Sequence, residues 1–200
     1  MRIVSGDFRN RVIAAPEGRT TRPTAERVRE AVFSSLYSRV GELDGLKALD
    51  AFAGSGAMGI EALSRGAEAC VFFENDPASC KVLEANLKSL GLSAPRVRVH
   101  RADVLAAPGP ALAHEGPFGL VLLDPPYAFP LEQVRDLLVS LAGEGCLAPG
   151  AIVSYEHSSP RAPSGGEELA ELLEDTGIFT SSGSRNYGKI DVDYLRYRAR

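Results

Sequence analysis

Tryptophan is absent from this 200-residue chain, cysteine and histidine each occur three times, and only four of its 22 basic residues are lysines. These scarcities exclude several chemistries. Cys70, Cys80 and Cys146 are odd in number and scattered, with no Cys-x-x-Cys pair. That rules out a disulfide framework or a zinc knuckle and leaves buried thiols in a reducing cytosol as the expectation. His100 and His157 have no metal-ligand companions, and the chain holds neither a Walker loop nor a credible Ser-His-Asp arrangement. No apolar run approaches the roughly 20 residues of a membrane span, and the start, MRIVSGDFRNR, lacks the apolar core of a signal peptide. A soluble cytoplasmic protein with no membrane partner is therefore expected.

What is present suits a globular protein. Apolar residues make up 44% and charged residues 24% of the chain, enough for a real core. The length fits one globular unit overall, in which a basic arm and helix (1–44) pack on a larger core (45–200). The net charge of -4 argues against a nucleic-acid partner until its distribution is considered. The first 29 residues carry seven arginines against three carboxylates, a local excess of +4 over a remainder of -8. A basic arm on an acidic body is the asymmetry expected of a face that meets phosphates. Arg9 and Arg11 are the leading candidates within it.

The arm, Arg2 to Arg19, reads as a short hairpin or extended segment. Arg22-Pro23-Thr24 then opens a helix, with Thr24 as N-cap and Val28, Val32, Phe33 and Leu36 at helical spacing. From residue 46 the pattern alternates strand and helix. Strands are expected at 46–52, 69–74, 96–100, 118–123 and 151–155, and helices at 57–65, 77–90, 131–141 and 167–175. Residues 158–166 read as a surface loop, and two late strands, near 178–182 and 190–198, as an antiparallel hairpin. Strands without polar alternation, separated by helices, indicate a parallel sheet covered on both faces. The fold class expected is α/β and Rossmann-like: a mostly parallel seven-stranded sheet closed by that C-terminal hairpin.

Two sites in this pattern carry chemistry. Asp50-Ala51-Phe52-Ala53-Gly54-Ser55-Gly56-Ala57-Met58-Gly59 leaves the first strand and enters a helix, the context in which a glycine turn lets backbone approach a nucleotide-like ligand. Glu74 ends the second strand 20 residues after Gly54, where a carboxylate can accept from two ribose hydroxyls. The glycine spacing also satisfies the dinucleotide pattern, but a carboxylate at Asp50 would repel pyrophosphate and suits the cationic methionine part of S-adenosylmethionine. Asp103, beyond the third strand, could accept from the adenine amino group, although an aspartate there is equally an ordinary cap or loop residue. The second site is Asp124-Pro125-Pro126-Tyr127, directly after the most apolar strand. The two prolines stiffen the loop, so the Asp124 carboxylate and the Pro125 carbonyl form a preorganised pair of acceptors. Such a pair can hold the two hydrogens of an exocyclic amine and aim its lone pair at a methyl carbon. Tyr127 offers a face on which an unstacked base can lie.

Taken together, these residues resemble the amino-methylating class I methyltransferases. Gly6-Asp7-Phe8-Arg9-Asn10-Arg11, the stretch Arg22-Pro23-Thr24-Ala25-Glu26-Arg27-Val28-Arg29-Glu30, and Phe52 to Gly66 further resemble the bacterial RsmD family. The resemblance covers nearly the whole chain. It implies methylation of guanine N2 in 16S rRNA, within the small ribosomal subunit or an assembly intermediate, by a monomer that converts S-adenosylmethionine to S-adenosylhomocysteine. It also implies that Phe52, Ser55, Asn75, Val104 and Thr24 join Asp50, Gly54, Gly56, Glu74 and Asp103 around the cofactor, and that Arg22 and Arg27 join the RNA-facing arginines. One departure is Gly6-Asp7-Phe8-Arg9-Asn10, where family members often carry a second glycine and a tryptophan. The alternatives are an N6-adenine DNA or RNA methyltransferase, which shares the tetrapeptide, and an inactive RNA-binding assembly factor. A nicotinamide oxidoreductase is disfavoured by Asp50 and the tetrapeptide.

Overall fold

The computed structural model describes residues 1–16, 23–106, 110–126, 129–158, 169–174 and 176–199, the side chains of 23–25, 110–111 and 174 excepted. Arg19, Arg22, Tyr127 and most of the expected surface loop lie outside the described residues. The chain forms two compact units, Met1–Val104 and Leu105–Arg200.

The first unit begins with a hairpin, closed by an Arg2–Val12 bridge and by Ile3 N–H donating to the Arg11 carbonyl at 3.0 Å. Helix α1 (Pro23–Val40) follows and buries the expected Val28, Val32, Phe33 and Leu36. It starts at Pro23, one residue before the anticipated cap, where a proline's missing N–H costs the helix nothing. Strand β1 (Lys47–Asp50), helix α2 (Ala57–Ser64), β2 (Ala69–Phe73), α3 (Pro77–Ser89) and β3 (Val97–His100) complete the alternation. The three strands are parallel in the order β3-β2-β1, with Asp50 paired to Phe72 and Phe73 to His100. Helix α3 starts where Asp76 accepts the Ser79 N–H at 2.7 Å, with Pro77 in its first turn, and these backbone donors hold the Asp76 carboxyl below its usual range.

The second unit holds α4 (Pro110–Ala113), a short turn of helix not anticipated from sequence, β4 (Phe118–Leu123), α5 (Leu131–Gly143), β5 (Leu147–Ser158), α6 (Leu169–Glu174), β6 (Phe179–Asn186) and β7 (Ile190–Tyr197). The strand order is β4-β5-β7-β6, with β4 and β5 parallel and the last two antiparallel. Every residue of β4 is buried. Strand β5 is longer than expected at both ends, taking in Ala148-Pro149-Gly150 as an irregularity and running on through Glu156, His157 and Ser158, which pair with β7. Phe118 pairs with Leu147, and Leu120 pairs with Ile152. Val134, Leu137, Leu138 and Leu141 form the buried stripe of α5. Each large side chain fully buried in this way stabilises the fold by roughly 1.5–3 kcal/mol before entropy is counted. The α/β class and all seven expected strands are present, the parallel ones first and the antiparallel hairpin last. All three cysteines are buried thiols, and no helix among the described residues is long and apolar enough to cross a membrane.

Candidate active site

Parallel pairing in the first unit brings the carboxyl ends of β1, β2 and β3 to one edge of its sheet, where open α/β sheets bind ligands. There the glycine turn and Glu74, separated by 20 residues in sequence, are in direct contact. The Gly54 N–H donates to Glu74 Oε2 at 2.7 Å and the Asp76 N–H to Oε1 at 2.8 Å. Glu74 thereby ties the turn to the start of α3. An ionised carboxylate has about four lone-pair sites, so both oxygens keep acceptor capacity for a pair of hydroxyls. Gly56 is left-handed at φ 80° and tightly enclosed: an added Cβ would lie 2.3 Å from Leu83 Cδ1. Glycine is required there, because any side chain would meet both strain and collision. The turn closes on itself through Gly56 N–H to the Ala53 carbonyl at 2.6 Å.

Asp50 is buried, and its Oδ2 accepts the Gly59 N–H at 2.9 Å. The carboxylate therefore meets one of the unpaired first-turn donors of α2 as well as marking the end of β1. Burial, followed by the Asp50 charge, pushes the adjacent Cys70 thiol well up. Phe52 is half-buried and Ser55 buried in the turn, Asn75 is exposed after Glu74, Asp103 is exposed, and Val104 is buried. Of the expected cofactor residues only Thr24 is not located to its side chain; its backbone lies in the first turn of α1.

In the second unit Asp124 follows the buried β4 and is exposed, Pro125 is buried, and Phe129 N–H closes the loop on the Pro126 carbonyl at 2.8 Å. Leu123 pairs with Tyr155 across parallel strands, so Asp124 and Glu156 are the next residues on neighbouring chains. Motif reasoning passes over Glu156. The signal that could find it is an acidic residue at the end of an apolar strand, as with Glu74. Burial, then the Asp124 charge, raises its carboxyl to about 8, with His157 acting weakly the other way.

The shift has a measurable consequence. The fold keeps a proton on Glu156 that the unfolded chain releases near its ordinary 4.5. That contribution to stability is complete below pH 4.5 and is lost as pH rises through about 8. Glu156→Gln cannot titrate, so its melting temperature should fall less than the wild type's between pH 5.5 and 8.5. Parallel melting curves for the two proteins would show that Glu156 is not held neutral.

His157, expected to play a core or surface role, places Nε2 3.1 Å from Asp193 Oδ2 and stacks on Tyr155 at 5.0 Å. The Asp193 hydrogen bond is the main reason its pKa is raised. His100 stacks on Phe73 at 4.6 Å. Neither histidine belongs to a group of three or more residues able to hold a metal among the described residues.

The basic arm is narrower than its composition suggests. Arg29 is buried, with Nε 3.3 Å from Glu61 Oε2 and a further hydrogen bond to the Arg2 carbonyl. Arg11 donates from Nη2 to the Ser89 carbonyl at 2.8 Å. Arg2, Arg9, Arg11 and Arg27 are exposed. Arg29 therefore serves the core, and the exposed arginines are the ones open to phosphates.

Comparison with known proteins is consistent with this geometry. Residues 1–189 match the family model described as conserved hypothetical protein 95. The chain is 34% identical to YlbH of Bacillus subtilis over 199 residues, covering 99% of this chain and 100% of that one. It is 35% identical over 157 residues to the ribosomal RNA small subunit methyltransferase D of Escherichia coli K12, covering 78% of this chain and 74% of that one. The solved structure of Escherichia coli yhhF superposes with a TM-score of 0.74 at 29% identity, covering 100% and 99% of the two chains. With a family match across nearly its whole length and such identity to an RsmD methyltransferase, the chain belongs to the RsmD family of class I methyltransferases.

Proposed function

We propose that this protein transfers a methyl group from S-adenosylmethionine to the N2 amino group of a guanine in 16S rRNA, in the small ribosomal subunit or an assembly intermediate. It acts as a cytoplasmic monomer. The observation that carries this reading is the Asp124-Pro125-Pro126 loop at the end of fully buried β4, in a chain 35% identical to a ribosomal RNA small subunit methyltransferase. The donor set fits the cofactor: an oriented carboxylate at Glu74, a buried one at Asp50, and a turn whose glycines leave room for close approach.

When bound, the cofactor supplies a methyl group on a positively charged sulfur. Glu74 and the glycine turn hold its nucleoside part, with Asp103 and Asn75 beside the base and Asp50 toward the charged end. The Asp124 carboxylate and the Pro125 carbonyl accept the two N2 hydrogens, and Tyr127 supports the base. So held, the nitrogen would aim its lone pair at the methyl group, which the cofactor would supply with its sulfur as the leaving group. The nitrogen then sheds one proton, for which the exposed Asp124 carboxylate is the acceptor in contact with water. Glu156, on the neighbouring strand, is pushed toward its protonated form by burial and by the Asp124 charge. The enzyme supplies alignment and needs no covalent intermediate.

Small subunits from a strain lacking the enzyme, incubated with protein and cofactor and then analysed by mass spectrometry, should gain one methyl group on a guanine. A methyl group on adenine N6 would establish the alternative substrate. The arm has its own test. Charge reversal at Arg9 and Arg11 should weaken RNA binding and flatten the dependence of log K on log salt by about 1.5–2, near the value for two lost phosphate contacts. An unchanged slope would remove the arm from the interface.

A further inference from the structure

Asn86 lies on the face of α3 that also buries Leu83 and Leu87, and it is only 3% exposed. A buried amide must find partners for its donors and acceptor, and this one finds them on two different segments. Its Oδ1 accepts the Ala14 N–H at 2.8 Å while Nδ2 donates to the Ala14 carbonyl at 3.0 Å, so the side chain pairs with the arm as a neighbouring strand would. The second Nδ2 hydrogen goes to the Ser55 carbonyl at 2.9 Å, in the middle of Gly54-Ser55-Gly56. Both amide hydrogens and the amide oxygen are thus used. One rigid group holds the end of the arginine hairpin and the centre of the glycine turn.

The other end of the hairpin is fastened as firmly. Asp7 N–H donates to the Ser64 carbonyl at 2.7 Å and Phe8 N–H to Ser64 Oγ at 2.9 Å. Gly6, at φ 80°, sits so close to α2 that a Cβ would lie 1.6 Å from the Ser64 carbonyl oxygen. The hairpin is therefore seated on α2, the helix that the glycine turn opens, and on α3, the helix that Glu74 ties to that turn.

We propose that Asn86 is a positioning residue that makes the shape of the cofactor turn depend on the seating of the arginine hairpin. RNA engaged by the hairpin and cofactor engaged by the turn then strengthen each other's binding, by the same factor in both directions. This rests on the reading of the turn as the cofactor site and of the hairpin as an RNA contact.

Ala14→Pro tests it without touching Asn86, Ser55 or the turn. At this exposed position it removes the N–H donated to Oδ1 and sets a ring carbon against that oxygen, unseating the end of the hairpin from Asn86. Asn86→Asp is the companion variant: it keeps the shape but points a carboxylate oxygen at two carbonyls. The measurements are S-adenosylhomocysteine affinity with and without unmethylated small subunits, and steady-state kinetics. Wild type should bind the nucleoside at least fivefold tighter when subunits are present. In Ala14→Pro that factor should fall toward one and the cofactor KM should rise several-fold, with kcat held within about twofold. Asn86→Asp should raise KM further. If Asn86→Asp alone raises KM while Ala14→Pro keeps the wild-type KM and coupling, Asn86 merely braces the turn and the inference fails. Wild type that binds no S-adenosylhomocysteine at all would instead refute the cofactor reading beneath it.

Discussion

Asp124→Ala should lower kcat by about two to three orders of magnitude while leaving cofactor affinity within a few-fold, the loss typical when a preorganised polar group at the reacting centre is removed. An exocyclic amine delocalises its lone pair into the base and is a poor nucleophile until both hydrogens are held and the nitrogen pyramidalises. Asp124 is suited to that task because the two prolines that follow it limit its motion. An amide in place of this carboxylate would keep one acceptor but no charge, so Asp124→Asn should fall between wild type and Asp124→Ala. Single-turnover rates at saturating cofactor, with calorimetric cofactor affinity alongside, separate chemistry from binding. A kcat within tenfold of wild type for Asp124→Ala would defeat the acceptor-pair mechanism.

Glu61→Ala should be the most destabilising single change, by about 3–5 kcal/mol. This carboxylate is fully buried on α2 and accepts from four donors on three segments: Val4 N–H at 2.9 Å, Ser5 N–H at 3.0 Å, Arg29 Nε at 3.3 Å and Arg65 Nε at 2.7 Å. Removing it takes the acceptor from two guanidinium groups, that of Arg29 almost wholly buried, and from two part-buried backbone donors. A replaced apolar pair can be neutral, but half of a buried pair cannot. Arg65 also lies over the Phe33 ring at 5.0 Å, so loss of its anchor reaches α1 as well. With stabilities of about 5–15 kcal/mol typical, the variant should melt roughly 10 °C or more below wild type. A shift within about 3 °C would mean that the clamp contributes little. Glu61→Gln should recover part of the loss, since its carbonyl still serves two of the four donors.

Much of this is legible in the linear sequence, wherever the information is local. Strand β4 is located to the residue because six consecutive residues, five of them apolar around Gly119, end on Asp-Pro-Pro. Pro77 and Gly91 bracket α3 through φ preferences that any chain shares. The Gly54–Glu74 spacing is legible because a strand-turn-helix-strand unit has a nearly fixed length, and the two residues do meet at 2.7 Å. The extent of β5 is not, because Ala148-Pro149-Gly150 lies in a register shift between two β4 pairs and Glu156 to Ser158 are drawn into the strand by distant β7.

What only the tertiary structure decided concerns charge and polar burial. Seven early arginines look alike in sequence, yet Arg29 is buried against Glu61 while Arg2, Arg9, Arg11 and Arg27 are exposed. Glu61, Asn86 and Glu156 sit in apolar patterns as if they were ordinary helix or strand-end residues. The partners that define them are distant in the chain, at Val4, Ala14 and Asp124. By itself the sequence determined the α/β alternation, the glycine turn and the Asp-Pro-Pro loop after β4, because local conformational preference and hydrophobic period specify them. Which polar groups are buried, which arginines stay open and which carboxyl keeps its proton depend on long-range neighbours and on exclusion of water, and only the folded chain supplies those.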